Sequence, residues 1–373
     1  MPATAEGRVL LDVRPLQGGD SVRGIGTYVR GLLGGLTAEG FDDRLALLVD
    51  GRLPLPALPA GNLVAFSVRP RYGGRAGLIE EAVTMPRKLS RMAPALYHAT
   101  SLALPARTDV ATIVTLHDLI PWALGGAALR GERTRWWLGR RLLRQADVVI
   151  AVSRHTAQDA SRLAGVDPAT ITVIPEAPAP VFAPRAGAAE RLAAERGITT
   201  PFLLYTGALD RRKDPAGLLR AWAVVRAHGI EVPLVLTGAA GAQAPLDMRG
   251  ALRLGQVDIE ILADLYSAAA CLLFPSRYEG FGLPPLEAMA CGCPVVAYAN
   301  SSLPGVLGEA AVLVEDGDAE ALGEAAAAIL SDPAEADRLR RAGFTRARRY
   351  SWRRTARETI RVYRRLLGES ATQ

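Results

Sequence analysis

Residues Phe274–Asn300 read FPSRYEGFGLPPLEAMACGCPVVAYAN, and the rest of the chain is organised around this stretch. A short apolar run, Cys271–Phe274, leads into it and reads as a buried strand. A loop punctuated by Gly280 and Gly282 follows, with Glu279 at one end and Glu287 at the other. Pro285–Ala290 is expected as a short helix. Pro285 suits a first turn, where its missing N–H would have no partner, and Gly292 suits a C′ position with positive φ. Pro294–Tyr298 is then a second buried strand. The helix N-terminus thus opens beside the carboxyl end of a parallel strand, where α/β proteins bind ligands.

The residue types in the loop specify a chemistry. Gly280 and Gly282 let backbone N–H groups near Phe281, Gly282 and Leu283 approach a ligand closely, and the helix behind them adds partial positive charge. That makes an anion site of diphosphate size. Glu279 and Glu287 bracket it, and a carboxylate accepts paired hydrogen bonds from the vicinal hydroxyls of a ribose or a hexose. An anion cradle between two hydroxyl-reading acids suits a nucleotide-sugar.

The spacing Glu279-x7-Glu287, in the wording EGFGLPPLEAMACGCPVV, resembles family 4 of the retaining glycosyltransferases. The resemblance implies the GT-B fold, an α/β architecture of two facing Rossmann-like domains with parallel sheets and a cleft between them. It further implies that Glu279 faces the donor sugar, that Glu287 holds the nucleotide ribose, and that the amides between them meet sugar and diphosphate. The alternative is a plain βαβ turn with two solvated acids; the length and order of the match speak against it.

Length and composition agree with such a chain. Its 373 residues fit two domains of ordinary size, and 49% hydrophobic with 22% charged residues is usual for a globular protein with large buried sheets. Cys271, Cys291 and Cys293 all fall in expected core elements, with no His pair to complete a metal site, and read as reduced apolar residues. MPATAEGRVLLDV lacks the pattern of a signal peptide, and no apolar run approaches membrane-spanning length, so a cytoplasmic location is expected.

The net charge of +6 is concentrated in Arg130–Arg144 and Arg338–Arg365. A basic helix with Trp136 and Trp137 can lie on the inner face of an anionic membrane. The favoured reading is an amphipathic helix that packs Trp and Leu inward and leaves its arginines solvated. No recognised nucleic-acid module accompanies the charge, so nucleic-acid binding is not expected.

In chain order, Arg8–Val13 reads as a first strand, followed by a glycine-rich loop ending at Gly24-Ile25-Gly26 and a helix from Thr27 to about Leu36. The dinucleotide fingerprint is incomplete there because the next glycine is Gly31. Asp50, after Leu45–Val49, stands where such a fingerprint would place its ribose acid. Ala95–Tyr97 is a strand leading to His98, and Thr112–Leu116 ends at His117-Asp118. A histidine at a strand's carboxyl end faces the crevice, while Asp118 suits a cap for the next turn. Val148–Ala151 leads to Ser153, an expected N-cap for a helix over His155–Ala164. Ile171–Pro175 is the last strand before a Pro/Ala-rich linker at about Glu176–Gly187.

Phe202–Tyr205 then ends at Thr206-Gly207, and Arg212-Lys213 precede a helix over Pro215–Arg226. A guanidinium fork beside an ammonium suits a diphosphate. Asp316-Gly317-Asp318 reads as a polar turn rather than a metal motif, and Tyr350–Leu367 as a long amphipathic helix.

The resemblance divides the chain into an acceptor-side domain at 1–180, a nucleotide-sugar domain at 181–349, and a C-terminal helix at 350–373 that crosses back. It implies catalytic roles for His117, Glu279, Arg212 and Lys213. Donor contacts fall to Gly24, Gly26, Gly207, Phe281, Gly282, Leu283 and Glu287, and no metal or cofactor is required. The implied reaction is retaining transfer of a hexose, pictured as front-face displacement, to a glycan, a lipid-linked sugar or a small molecule. GDP-mannose is the donor toward which the GIGTY, HDLIP and EGFGLPPLE wording leans, with UDP-glucose close behind. A nucleotide-sugar epimerase or hydrolase would need further carboxylates at strand ends. A non-catalytic binding subunit has no need of both glutamates, the Arg-Lys pair and His117 together.

Overall fold

Four-residue strands, mostly apolar and buried along their whole length, build the centres of two parallel sheets. The computed structural model describes residues 5–18, 24–61, 63–70, 74–102, 104–124, 130–239 and 250–369, without the side chains of 74–76, 78 and 130–136. The chain forms two units, Met1–Ala177 with Ser351–Gln373, and Pro178–Tyr350.

The first unit runs β1 (Val9–Asp12), α1 (Gly24–Ala38), β2 (Leu45–Asp50), β3 (Val64–Val68), α2 (Gly74–Met92), β4 (Leu96–Ala99) and β5 (Ala111–Leu116). It continues with α3 (Ile120–Ala123), α4 (Arg130–Leu143), β6 (Val148–Ala151), α5 (Arg154–Asp159) and β7 (Ile171–Val173). The second unit opens with α6 (Ala188–Arg196), β8 (Leu203–Thr206), α7 (Pro215–Ala227), β9 (Leu234–Thr237), β10 (Leu252–Gly255), α8 (Ile259–Ala268) and β11 (Cys271–Phe274). After these come α9 (Leu283–Cys291), β12 (Val295–Tyr298), α10 (Leu303–Leu307), β13 (Val312–Val314), α11 (Ala319–Ser331) and α12 (Pro333–Ala347). The last helix, α13 (Trp352–Leu366), belongs to the first unit and packs on α1 through Trp352 and Ala356.

The strand orders are β3-β2-β1-β4-β5-β6-β7 and β10-β9-β8-β11-β12-β13. Each sheet winds outward from its first strand and then crosses to the other side, which is the doubly wound arrangement. In the second sheet Leu204 of β8 lies between Val235 of β9 and Leu272 of β11. The switch point is therefore between β8 and β11, at the end where Thr206 and Phe274 hand the chain to loops.

Several element boundaries differ from expectation. The α9 helix begins at Leu283, not Pro285, because Gly282 takes φ +99° as its N-cap; Gly292 at φ +86° closes it. The α1 helix begins at Gly24 rather than Thr27, so Gly24 and Gly26 lie in its first turn and not in a loop, while residues 19–23 lie outside the described set. His98 sits inside β4 instead of following it. The stretch 155–164 divides into α5, capped by Ser153 Oγ accepting from Thr156 N at 3.0 Å, and a π-helical turn.

Some elements were not anticipated from the sequence. The edge strand β10 carries Arg253 and Gly255 and exposes most of its residues, β3 alternates Val64, Phe66 and Val68 directly after a proline-rich stretch, and α2 contains Pro86, which reads as a helix breaker.

In α4, Leu142 and Leu143 are buried as expected, but Trp137 is 62% exposed, so the inward packing of that tryptophan is not found. The side chain of Trp136 lies outside the described residues. Asp316-Gly317-Asp318 does form a turn, and Asp318 Oδ1 caps α11 by accepting from Ala321 N at 2.9 Å. Asp50 is closed by the guanidinium of Arg52, with bonds of 3.0 Å to Oδ1 and 2.6 Å to Oδ2.

Candidate functional site

The carboxyl ends of β8 and β11 position one cluster. After β8, Gly207 takes φ +136°, and a Cβ there would meet Lys213 Cε at 3.4 Å, so the missing side chain makes room for the lysine. Residues Arg211–Lys213 form a tight turn that Asp210 Oδ1 caps by accepting from Lys213 N at 3.1 Å. Asp214 then caps α7, taking Gly217 N at 2.9 Å. Both cations are thereby aimed inward rather than along the surface. Lys213 is buried, its Nζ 4.4 Å from the centre of the Phe274 ring.

The two cations converge on one oxygen. Glu279 Oε1 accepts from Lys213 Nζ at 2.6 Å, from Arg212 Nη1 at 2.8 Å and from Ser276 Oγ at 2.5 Å. Burial pushes the Glu279 carboxyl up, but Lys213 and Arg212 outweigh it and hold the group at about 2. Burial conversely pulls Lys213 below its usual range, opposed by Glu279. Among the described residues, Glu279 Oε2 has no donor. The carboxylate is anchored on one side and open on the other.

The loop after Glu279 is tied down by the turn at Asn300–Ser302. Glu279 N donates to Ser301 Oγ at 2.8 Å, and Ser302 Oγ donates to Phe281 O at 2.8 Å. Asn300 Nδ2 donates to Ser276 O at 2.8 Å. Ser301 takes φ +46°, a strained conformation for a non-glycine residue. Neither serine carries a motif, and only their three-dimensional placement reveals the role.

At the start of α9, Pro284 and Pro285 have no N–H, so the donors of that helix end fall to the residues before them. Among the described residues no acceptor faces the N–H groups of Phe281, Gly282 or Leu283. A Cβ on Gly282 would lie 2.7 Å from Leu303 Cδ2, so only glycine fits this cap. One turn along, buried Glu287 takes the hydroxyl of Tyr266 on Oε2 at 3.4 Å. Gly207, Arg212, Lys213, Glu279, Phe281, Gly282, Leu283 and Glu287 are thus all in the second unit, on the loops and helix that follow β8 and β11.

His117 and the two α1 glycines belong to the first unit. His117 follows β5, with Nδ1 2.9 Å from Glu176 Oε1 and Nε2 3.1 Å from Thr100 O. The Tyr28 ring stands edge-on to it at 4.8 Å. Both ring nitrogens thus point at oxygens of the same unit. Glu176, read from composition as the first linker residue, is buried and orients this histidine. Asp118 Oδ1 accepts from Ile120 N at 3.1 Å and caps the turn behind.

His98 lies deeper, its Nδ1 2.6 Å from Tyr363 Oη of α13 and its Nε2 2.9 Å from Thr115 Oγ1. Burial pulls it down to about 3, so its imidazole is neutral. Gly26 is buried in the first turn of α1, whereas a Cβ on Gly24 would meet nothing within 4 Å. Among the described residues, no group of three or more His, Cys, Asp or Glu is placed to hold a metal ion.

Comparison with known proteins places this geometry. Residues 190–346 match the family Glycosyl transferases group 1, and residues 22–177 match Glycosyltransferase Family 4. The chain is 30% identical over 284 residues to O-antigen chain mannosyltransferase B of Escherichia coli, covering 72% of this chain and 74% of that protein. It is 25% identical over 412 residues to the serotype-specific mannosyltransferase WbdA of Escherichia coli, spanning 97% of this chain but 48% of that one. Among solved structures, sucrose-phosphate synthase from Thermosynechococcus elongatus superposes with a TM-score of 0.77 at 25% identity, over 98% of this chain and all of that one.

Proposed function

The chain belongs to the family 4 glycosyltransferases of the GT-B fold, and on that footing we propose that it is a retaining hexosyltransferase using a nucleotide-sugar donor. The observation that carries this reading is the arrangement around Glu279. Two inward cations, and a run of amides that meet no acceptor among the described residues, surround a carboxylate whose second oxygen meets no donor among them. Arg212, Lys213 and the N-terminus of α9 would take the negative charge that builds on the departing diphosphate, fixed dipoles and cations aimed at charge developing in the transition state. Glu279 Oε2 would accept a sugar hydroxyl, and Glu287 a pair of ribose hydroxyls. His117, which Glu176 orients through Nδ1, is the further residue we propose as a sugar contact, made by Nε2 in exchange for Thr100 O.

Mannose from GDP-mannose is the donor we propose, supported by the two relatives named as mannosyltransferases; UDP-glucose is the alternative. The acceptor would be a hydroxyl of a glycan, a lipid-linked sugar or a small molecule. We propose that the protein is cytoplasmic with peripheral contact to the inner membrane face through α4, where exposed Trp137 and Arg141 share one side of the helix and exposed Arg144 follows its last residue. Among the described residues no helix is long and apolar enough to cross a membrane.

The test is thermal stabilisation by GDP, UDP, dTDP and ADP and their sugars. Stabilisation grows as RT ln(1 + [L]/Kd), so the preferred nucleotide stands out. A shift with one nucleotide that disappears in Glu287→Ala supports the reading. No shift with any of them removes it.

A further inference from the structure

Glu279 does more than its proposed contact with the sugar requires. A carboxylate that only neutralised two cations, one buried and one partly so, would be expected to share them between its oxygens. Here Lys213 Nζ, Arg212 Nη1 and Ser276 Oγ all converge on Oε1, at 2.6, 2.8 and 2.5 Å. The lysine side chain is 7% exposed and the glutamate 13%, so water screens that pair little, while Arg212, 21% exposed, also donates to Tyr278 O at 2.9 Å. The protein's own anion occupies the cation pair that a diphosphate would need. A diphosphate drawing on Arg212 and Lys213 must share them with Glu279 and also bear the repulsion of its charge.

We propose that Glu279 is an internal competitor for the diphosphate's cations, holding Arg212 and Lys213 in the empty site and speeding departure of the nucleoside diphosphate after transfer. The inference rests on the donor-site reading above. One negative charge then acts in two ways: during transfer it faces the sugar, where positive charge develops, and after transfer it faces a product more negative than the donor. The conversion of donor into product adds a negative charge to the diphosphate, so repulsion from Glu279 grows just as the product must leave. The turn of Asn300–Ser302 keeps the carboxylate in place by fixing the backbone on either side of it.

Calorimetric titration of GDP and UDP into wild type and Glu279→Gln tests this. The amide keeps the shape and loses the charge. The expected result is about tenfold tighter binding of the preferred nucleoside diphosphate in the variant, unchanged binding of the matching nucleoside, and slower turnover. Glu279→Asp, which draws the carboxylate back by one methylene, should tighten binding in the same direction by a smaller factor. A site merely loosened by loss of a structural carboxylate would bind the diphosphate more weakly, so the sign separates the two roles. Diphosphate binding that is unchanged or weaker in both variants overturns the proposal alone. If wild type binds no nucleoside diphosphate, and Glu287→Ala therefore changes nothing, the donor-site reading falls and this inference falls with it.

Discussion

A Cβ built on Gly31 of α1 would lie 2.0 Å from Cε2 of Trp352, the first residue of α13. The indole therefore lies where a side chain would otherwise be, and one turn on, Gly35 admits the backbone of the same tryptophan, whose O would be 2.4 Å from a Cβ. Helix α13 is joined to the first unit through these two glycines, and Tyr28 completes the seat with its ring 5.8 Å from the indole. Gly31, out of place for a dinucleotide fingerprint, has its explanation here.

Gly31→Ala should destabilise the first unit by about 1–3 kcal/mol through overpacking. Gly34, in the same helix, has open space around a built Cβ, so Gly34→Ala should stabilise by roughly 0.5–1 kcal/mol from helix propensity. Denaturant titration of both variants checks the opposite signs. A gain in both would mean that Trp352 does not rest on Gly31.

His98 should make stability depend on pH. Its folded value of about 3 lies below the ordinary histidine range, owing to burial and then to nearby His117. The unfolded chain therefore takes up a proton that the folded one refuses. Its contribution is fully present above pH ~6.5 and is lost as the pH falls toward 3, at about 1.4 kcal/mol per unit. Melting temperatures between pH 7.5 and 5 should fall more steeply in wild type than in His98→Gln. Parallel slopes would rule this out.

Gly282 and Gly292 cap opposite ends of α9, both with positive φ, and a Cβ on either would lie 2.7 Å from a neighbour, Leu303 or Phe344. Alanine at each should cost about 1–3 kcal/mol of stability. Only Gly282→Ala should also weaken binding of the preferred nucleotide, since it disturbs the amides facing the proposed diphosphate. Equal nucleotide affinities in the two variants would remove those amides from the site.

Trp137→Glu, at a position 62% exposed, should leave the melting temperature unchanged, as expected for a surface position. It should lower sedimentation with vesicles of anionic lipid several-fold at low salt. Neutral vesicles should bind neither protein. Equal sedimentation of wild type and variant would leave α4 an ordinary solvated helix.

Much of the fold was legible in the sequence because its signals are local. The buried strands Cys271–Phe274 and Val148–Ala151 are unbroken apolar runs, and Gly292 and Ser153 end or begin helices through their own backbone and side chains. Among the edge strands, β7 was read from its Ile-Thr-Val run, whereas β10 interrupts its leucines with Arg253 and Gly255, and β3 follows the proline-rich stretch 54–59 that reads as loop. Ser301 and Ser302 were passed over for a different reason: a serine reads alike in any turn until the backbone it holds is known.

The sequence by itself determined the alternation of strands and helices, the glycine and proline punctuation of the donor loop, and which residues bear charge near it. Each follows from φ, from burial period or from capping within a few neighbouring residues. Only the tertiary structure decided which charges meet. Lys213 and Glu279 stand 66 positions apart, and His117 and Glu176 stand 59 apart. Parallel strands need long crossovers between them, so residues at neighbouring strand ends are necessarily distant in sequence. Their pairing is set by strand order and register, which no local pattern encodes.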